Sequence, residues 1–266
     1  MAAIVLDKCF LQAASWQAIC GLAKRHDLLI TGSLFHELLT GNQEARRKVF
    51  AKLPRQDNPV LLLDNVSSLL AHEGNTHTPA GDVSSHTLKL AFRFNPRLKE
   101  NGYELPPGVL EAVAENEART RRLVESYVAR TNAVVDMFHP VTTGSDKGRL
   151  VALAEIEKEI SDPKSVLTFY RSLGDPKLPP ADLLTPDWAT FRFYQTSLLF
   201  SLHTVHRHRG PVPVPQSARG FQRLEHDVHD HMVLCTGILA GGLATNERKL
   251  KDWCALLNPG ALVVSS

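Results

Sequence analysis

The feature that most constrains this chain is the rhythm of its first forty residues. An apolar run, Ala3–Leu6, stops at an acid, Asp7. A helical stretch follows from Ala13 to His26, with Trp16, Ile19, Cys20 and Ala23 at helical spacing. A second apolar run, Leu28–Thr31, leads through Gly32-Ser33 into a helix over Leu34–Leu39. Ser33 is its expected N-cap and Gly41 its stop. Short apolar runs of this kind read as strands buried on both faces. Strand, helix, strand, helix in so few residues predicts a parallel α/β sheet. A third run, Pro59–Asp64, comes after a basic helical stretch, Glu44–Lys52, and precedes a short helix over Val66–Glu73.

From residue 74 the pattern changes. Gly74–Ser85 is rich in Gly, Pro, Ser and Thr and reads as a loop. Helices are expected over Pro107–Phe138, Lys147–Ile160, Pro163–Leu173 and Pro186–His206, and Gly210–Pro215 is extended by its prolines. The α/β rhythm then returns, with a helix over Leu224–Leu239, a strand at Leu243–Thr245, a helix over Lys249–Leu257 and a last strand at Ala261–Ser265. The economical reading is one α/β domain built from residues 1–73 and 224–266, interrupted by a mostly helical insertion, 74–223.

Composition excludes several classes. With 266 residues, 43% of them hydrophobic, the chain can bury a core without disulfides. A formal net charge of +2 makes it no general polyanion binder, so any nucleic-acid contact must be local. None of the cysteines Cys9, Cys20, Cys235 and Cys254 stands in a C-x-x-C pair, which argues against a zinc ribbon and for a reducing compartment. The N-terminus lacks a basic segment, and no uncharged apolar run reaches the roughly 18 residues of a membrane span. A cytoplasmic protein without a membrane partner is the expectation.

In an open parallel sheet, ligands collect at the carboxyl ends of the strands. Asp7 follows the first strand directly, Glu37 lies one turn into the helix after the second, and Glu247 lies just past the fourth. Asp227 and Asp230 sit three apart on the returning helix. Converging carboxylates repel unless a cation neutralises them, and hard oxygen ligands favour Mg²⁺ or Mn²⁺.

These segments resemble the PIN domain, a family of metal-dependent nucleases. Ile4-Val-Leu-Asp7 is similar to its opening strand and first acid, and Thr31-Gly-Ser-Leu-Phe-His-Glu37 to its second-strand exit and second acid. Val60–Asp64 resembles its third strand. The stretch from Asp230 to Thr245-Asn246-Glu247 is the most specific match. Cys9 stands where the family often has a small polar residue, and Glu247 where it usually has Asp. The resemblance spans about residues 3–73 and 224–265 and implies a three-layer α/β/α PIN-like domain with a central parallel sheet. It implies a metal-dependent endonuclease, an endoribonuclease first of all, with a bacterial toxin or defence effector as one setting. Asp7, Glu37, Asp230 and Glu247 would then be catalytic and hold Mg²⁺ or Mn²⁺, with Asp227 the alternative third acid and Thr245 or Asn246 orienting a ligand or water. Its partners would be RNA or single-stranded DNA, an inhibitor or antitoxin protein, and a second copy in a homodimer.

Two basic stretches could hold phosphates: Arg46, Arg47 and Lys48, with Lys52 and Arg55 beyond, and Arg207 and Arg209, with Arg219 and Arg223 beyond. His226, His229 and His231 interleave with the acids and read as exposed helix residues, since no H-E-x-x-H is present. Two other readings stay open: a metal-dependent phosphohydrolase of small nucleotides, and a non-catalytic PIN-like protein that binds RNA or a partner.

Overall fold

Five short strands pair side by side, all parallel, in the computed structural model, which describes residues 3–54, 59–87, 96–100, 102–175, 177–215 and 217–266. In chain order the elements begin with β1 (Ala3–Leu6), α1 (Lys8–Ala13), α2 (Trp16–Ala23), β2 (Asp27–Thr31), α3 (Gly32–Thr40), α4 (Gln43–Phe50), β3 (Leu61–Leu63) and α5 (Val66–Thr76). Then come 3₁₀ turns at Val83–Ser85 and Pro96–Lys99, α6 (Pro107–Ala133), a 3₁₀ turn at Val135–Phe138, α7 (His139–Thr142), α8 (Asp146–Ser161), α9 (Pro163–Ser172) and α10 (Ala189–His208). The chain closes with α11 (Ala218–Ala240), β4 (Gly242–Ala244), α12 (Arg248–Leu257) and β5 (Leu262–Val264). The chain is therefore an α/β protein with the expected parallel sheet.

The strand order is β3-β2-β1-β4-β5. β1 lies between β2 and β4, as the reading of two chain ends sharing one sheet requires. Register is fixed by pairs such as Val5↔Leu29 and Val5↔Leu243. All four residues of β1 are buried, because helices cover both faces. One face carries Ile4, Leu6, Leu28 and Ile30 against Phe10, Ile19, Leu34, Phe35 and Phe50. On the other, Gly237 of α11 comes so close to Leu243 that a Cβ there would lie 3.2 Å from its side chain. Gly241 ends α11 with φ +71, and a Cβ on Gly242 would lie 2.5 Å from the Ala3 carbonyl oxygen. The glycine pair is thus what lets helix turn directly into strand beside β1.

Local expectations shift where side chains decide. The helix expected over Ala13–His26 is the shorter α2, which starts at Trp16 because Ser15 caps it by accepting the Ala18 N–H at 3.1 Å, and a separate helix, α1, precedes it. Its buried residues are Ile19 and Leu22, while Trp16 is 44% exposed. The N-cap of α3 is Thr31, whose hydroxyl accepts the Leu34 N–H, rather than Ser33. The helix from Pro107 ends at Ala133 and not at Phe138.

The chain divides into two compact units. One comprises Met1–Leu69, Ala80–Glu117 and Met232–Ser266; the other Leu70–Pro79 and Ala118–His231. Residues 80–117 thus belong with the sheet: Asp64 N–H donates to the His86 carbonyl at 2.9 Å, and Leu98, Tyr103, Leu105 and Val109 pack on the core described above. Arg55 of the first basic stretch lies outside the described residues. No helix among the described residues is long and apolar enough to cross a membrane.

The second unit is helical. α10 packs on α7, α8 and α9, and Val166, Tyr170, Leu184, Trp188 and Phe191 form its cluster. The Tyr127 hydroxyl lies 2.7 Å from Thr204 Oγ1 and 3.1 Å from the Phe200 carbonyl.

Two of the three histidines expected at the surface are buried. His229 is 9% exposed and His231 0%, the latter between the rings of Phe193 and Phe200. Nε2 of His231 lies 3.2 Å from Ser197 Oγ, and its Nδ1 has no hydrogen-bond partner among the described residues. Burial first, and then the nearby Arg130 charge, push its pKa down to about 3. The unfolded chain therefore binds a proton at this site that the folded chain refuses. Its contribution is whole above about pH 6.5 and is lost as pH falls toward 3. At pH 5 the loss is about 2 kcal/mol. Urea unfolding of His231→Leu is expected to show a shallower fall in stability between pH 6.5 and 4 than wild type; identical slopes would refute this.

Candidate active site

Asp7 sits at the carboxyl end of β1, where strands added on one side (β2, β3) give way to those added on the other (β4, β5). That switch point is where an open parallel sheet leaves a crevice for a ligand. The backbone anchors the residue from both sides: Asp7 N–H donates to the Ala244 carbonyl, and its own carbonyl accepts the Leu11 N–H, both at 3.0 Å. Asp7 occupies the N-cap position of α1, yet its side chain makes no capping bond. The carboxylate instead faces β4. Oδ2 accepts the Thr245 hydroxyl at 2.6 Å and the Cys9 thiol at 2.7 Å. Asp7 is 5% exposed.

Thr245 and Cys9 are themselves held. Thr245 Oγ1 accepts the Glu247 N–H at 3.0 Å, and Cys9 Sγ accepts the Asn246 N–H at 3.2 Å. Burial, and next the hydrogen bond to Asp7, push the Cys9 thiol above its ordinary pKa. It stays protonated at neutral pH and serves Asp7 as a donor. Sequence reading treated Cys9 only as a departure from the family pattern. Its position two residues after Asp7, at the start of a helix, was the available signal.

The other acids are placed differently. Glu37 of α3 is ion-paired with Lys8, Nζ to Oε1 at 2.5 Å. Glu247 stands at the N-cap position of α12 without a side-chain capping bond and is half-buried. Asn246 spends its side chain on Ser266: Nδ2 donates to its Oγ at 2.7 Å, and Oδ1 accepts its N–H at 3.0 Å. Asp230 is half-buried on α11, in the stretch that belongs to the helical unit. Asp227, in the same stretch, is taken by the guanidinium of Arg207 through both oxygens. Among the described residues, no three His, Cys, Asp or Glu side chains form a group that could hold a metal ion.

The expected phosphate-binding residues are mostly engaged. Arg46 is turned inward, 7% exposed, with Nη2 on the Tyr103 carbonyl. Arg47 is half-buried, and Lys48 is exposed beside Glu44 at 2.6 Å. Arg209 reaches Asp146 at 3.1 Å. Arg207 and Arg209 should therefore behave differently. Arg207→Ala strands a buried carboxylate, Asp227, and is expected to cost about 2 kcal/mol, reduced from a fully buried pair by the partial exposure of Arg207. Arg209→Ala, at a 63% exposed side chain, should change thermal stability little. Equal melting shifts for the two variants would contradict this.

No family model, no curated protein and no solved structure matches the chain.

Proposed function

We propose that the sheet unit is a PIN-like nuclease domain that hydrolyses phosphodiester bonds, RNA first of all. The observation that carries this reading is the Asp7 carboxylate at the switch point. It is buried, not spent on capping, and held at one oxygen by Thr245 and Cys9. Its other oxygen, Oδ1, accepts no hydrogen bond from the described residues and is the atom a cation would find.

Carboxylate oxygens are the hard ligands that Mg²⁺ or Mn²⁺ takes, and Asp7, Glu37 and Glu247 of this unit are the residues that would hold such an ion, although among the described residues they are not gathered into a metal-holding group as they stand. Such an ion, when bound, supplies positive charge to the phosphate and acidifies a water. The Lys8 ammonium now neutralises Glu37, so Glu37 must exchange that partner to act as a ligand. Lys8, partly exposed, can then face the phosphate backbone instead. Thr245 and Cys9 keep Asp7 in one orientation throughout.

The Lys8–Glu37 pair equally suits the non-catalytic alternative, in which a protein cation permanently replaces the metal. The deciding experiment is cleavage of a mixed pool of RNA and single-stranded DNA with Mg²⁺ or Mn²⁺, with and without EDTA. Cleavage that EDTA abolishes supports the nuclease. Cleavage indifferent to EDTA overturns it, and RNA binding without cleavage of any substrate supports the non-catalytic alternative.

A further inference from the structure

Arg46 is a buried cation with no counter-ion among the described residues. Among the described residues its guanidinium makes one hydrogen bond, from Nη2 to the Tyr103 carbonyl at 2.6 Å, and its buried Nε has no acceptor. Among the described residues no carboxylate is paired with it. A guanidinium in that state is costly unless an anion completes it. The same side chain forms part of the wall of a cleft of about 500 Å³ in the sheet unit. Leu39, Leu105 and Leu110 line it as well, and Leu110 is 52% exposed although nothing polar about it explains that position. Glu104 and Glu117, both exposed, are also among the lining residues. The cleft thus offers one buried positive group, an apolar wall and two separate negative groups.

We propose that this cleft binds a small zwitterion: a carboxylate on Arg46, an apolar body on Leu39, Leu105 and Leu110, and an ammonium toward Glu104 and Glu117. The planar fork of arginine matches a carboxylate. The three charged side chains sum to −1, so a phosphodiester chain or a free phosphate dianion meets the repulsion of both glutamates. A ligand carrying its own ammonium does not. The site shares no residue with Asp7, Glu37 or Glu247, so the two readings stand or fall separately.

The test is titration of the full chain with L-leucine, followed by calorimetry and ligand-observed NMR. 4-Methylpentanoate and 3-methylbutylamine are the probes that carry only one charged end. Saturable leucine binding is expected, at least about tenfold tighter than either half-ligand. Arg46→Gln and Leu110→Asp should each weaken leucine at least about tenfold. If Arg46→Gln does not fold, Leu110→Asp decides, because it alters an exposed position and adds an acid near the start of a helix, where acids are tolerated. The double variant Glu104→Gln with Glu117→Gln should weaken leucine and leave 4-methylpentanoate unchanged. Absence of saturation up to about 10 mM leucine overturns the proposal. So does leucine binding unmoved by Leu110→Asp. A short oligoribonucleotide that binds through Arg46 where leucine does not also overturns it, and makes Arg46 a phosphate contact.

Discussion

On the proposed nuclease reading, Asp7→Asn is expected to lower metal-dependent cleavage by at least about a hundredfold, beyond the 10–100-fold typical of losing an outer-shell partner of a metal site. The two donors on Oδ2 decide how the amide sits. Thr245 and Cys9 both need an acceptor, so the asparagine carbonyl oxygen takes the Oδ2 position and the NH₂ group takes that of Oδ1. The Oδ1 position then carries a donor, which cannot ligate a cation. The fold should survive. Two hydrogen bonds are kept, each weakened from charge-assisted to neutral by about 1 kcal/mol, and a buried negative charge is relieved. Mn²⁺ binding followed by electron paramagnetic resonance should weaken in parallel with the rate, with a melting temperature within a few degrees of wild type. Undiminished, EDTA-sensitive cleavage by a folded Asp7→Asn protein would remove Asp7 from the site.

Glu73→Ala is expected to produce the largest loss of stability in the helical unit, about 3–5 kcal/mol. Glu73 is 0% exposed, and its two carboxylate oxygens accept the N–H groups of Ala189 and Thr190 at 2.8 and 2.7 Å. These belong to the first turn of α10, whose N-cap residue, Trp188, supplies no side-chain bond. Every helix leaves its first N–H groups without an intrahelical acceptor, and a carboxylate there also meets the positive end of the helix dipole. Truncation leaves two buried donors unpaired at about 1–3 kcal/mol each. Glu73→Gln keeps one acceptor and should lose about half as much. Urea unfolding gives the total, and amide exchange at Ala189 and Thr190 localises it. A loss below about 1 kcal/mol for Glu73→Ala would mean that water or another group caps the helix equally well.

Elements were legible in the sequence because periodicity is local. Four apolar residues ending at Asp7, or leucines recurring through α3, specify strand and helix through neighbours a few residues away. The two-ended α/β pattern even carried the position of β1 between β2 and β4, since chain ends that both alternate strand and helix complete one sheet most simply. It also placed Asp7 at the sheet's carboxyl edge. Partnership was not legible. Thr245 meets Asp7 from 238 residues away, and Glu73 meets Thr190 from 117. A polar side chain has several competent partners in any sequence, and the choice among them follows from which segments the sheet and helices bring together, not from the residue itself. That is why Asp227 and Arg207, separately plausible as a metal ligand and a phosphate contact, hold each other. It is also why Arg46 turned inward from a stretch that reads as a phosphate-holding basic face, and why His231 lies in an aromatic core rather than in water. The sequence by itself determined the strands, their helices and the acid at the end of the first strand. Tertiary structure decided which charges are buried, which are paired and which are left for a ligand, because desolvation and hydrogen bonding depend on surroundings that only the folded chain assembles.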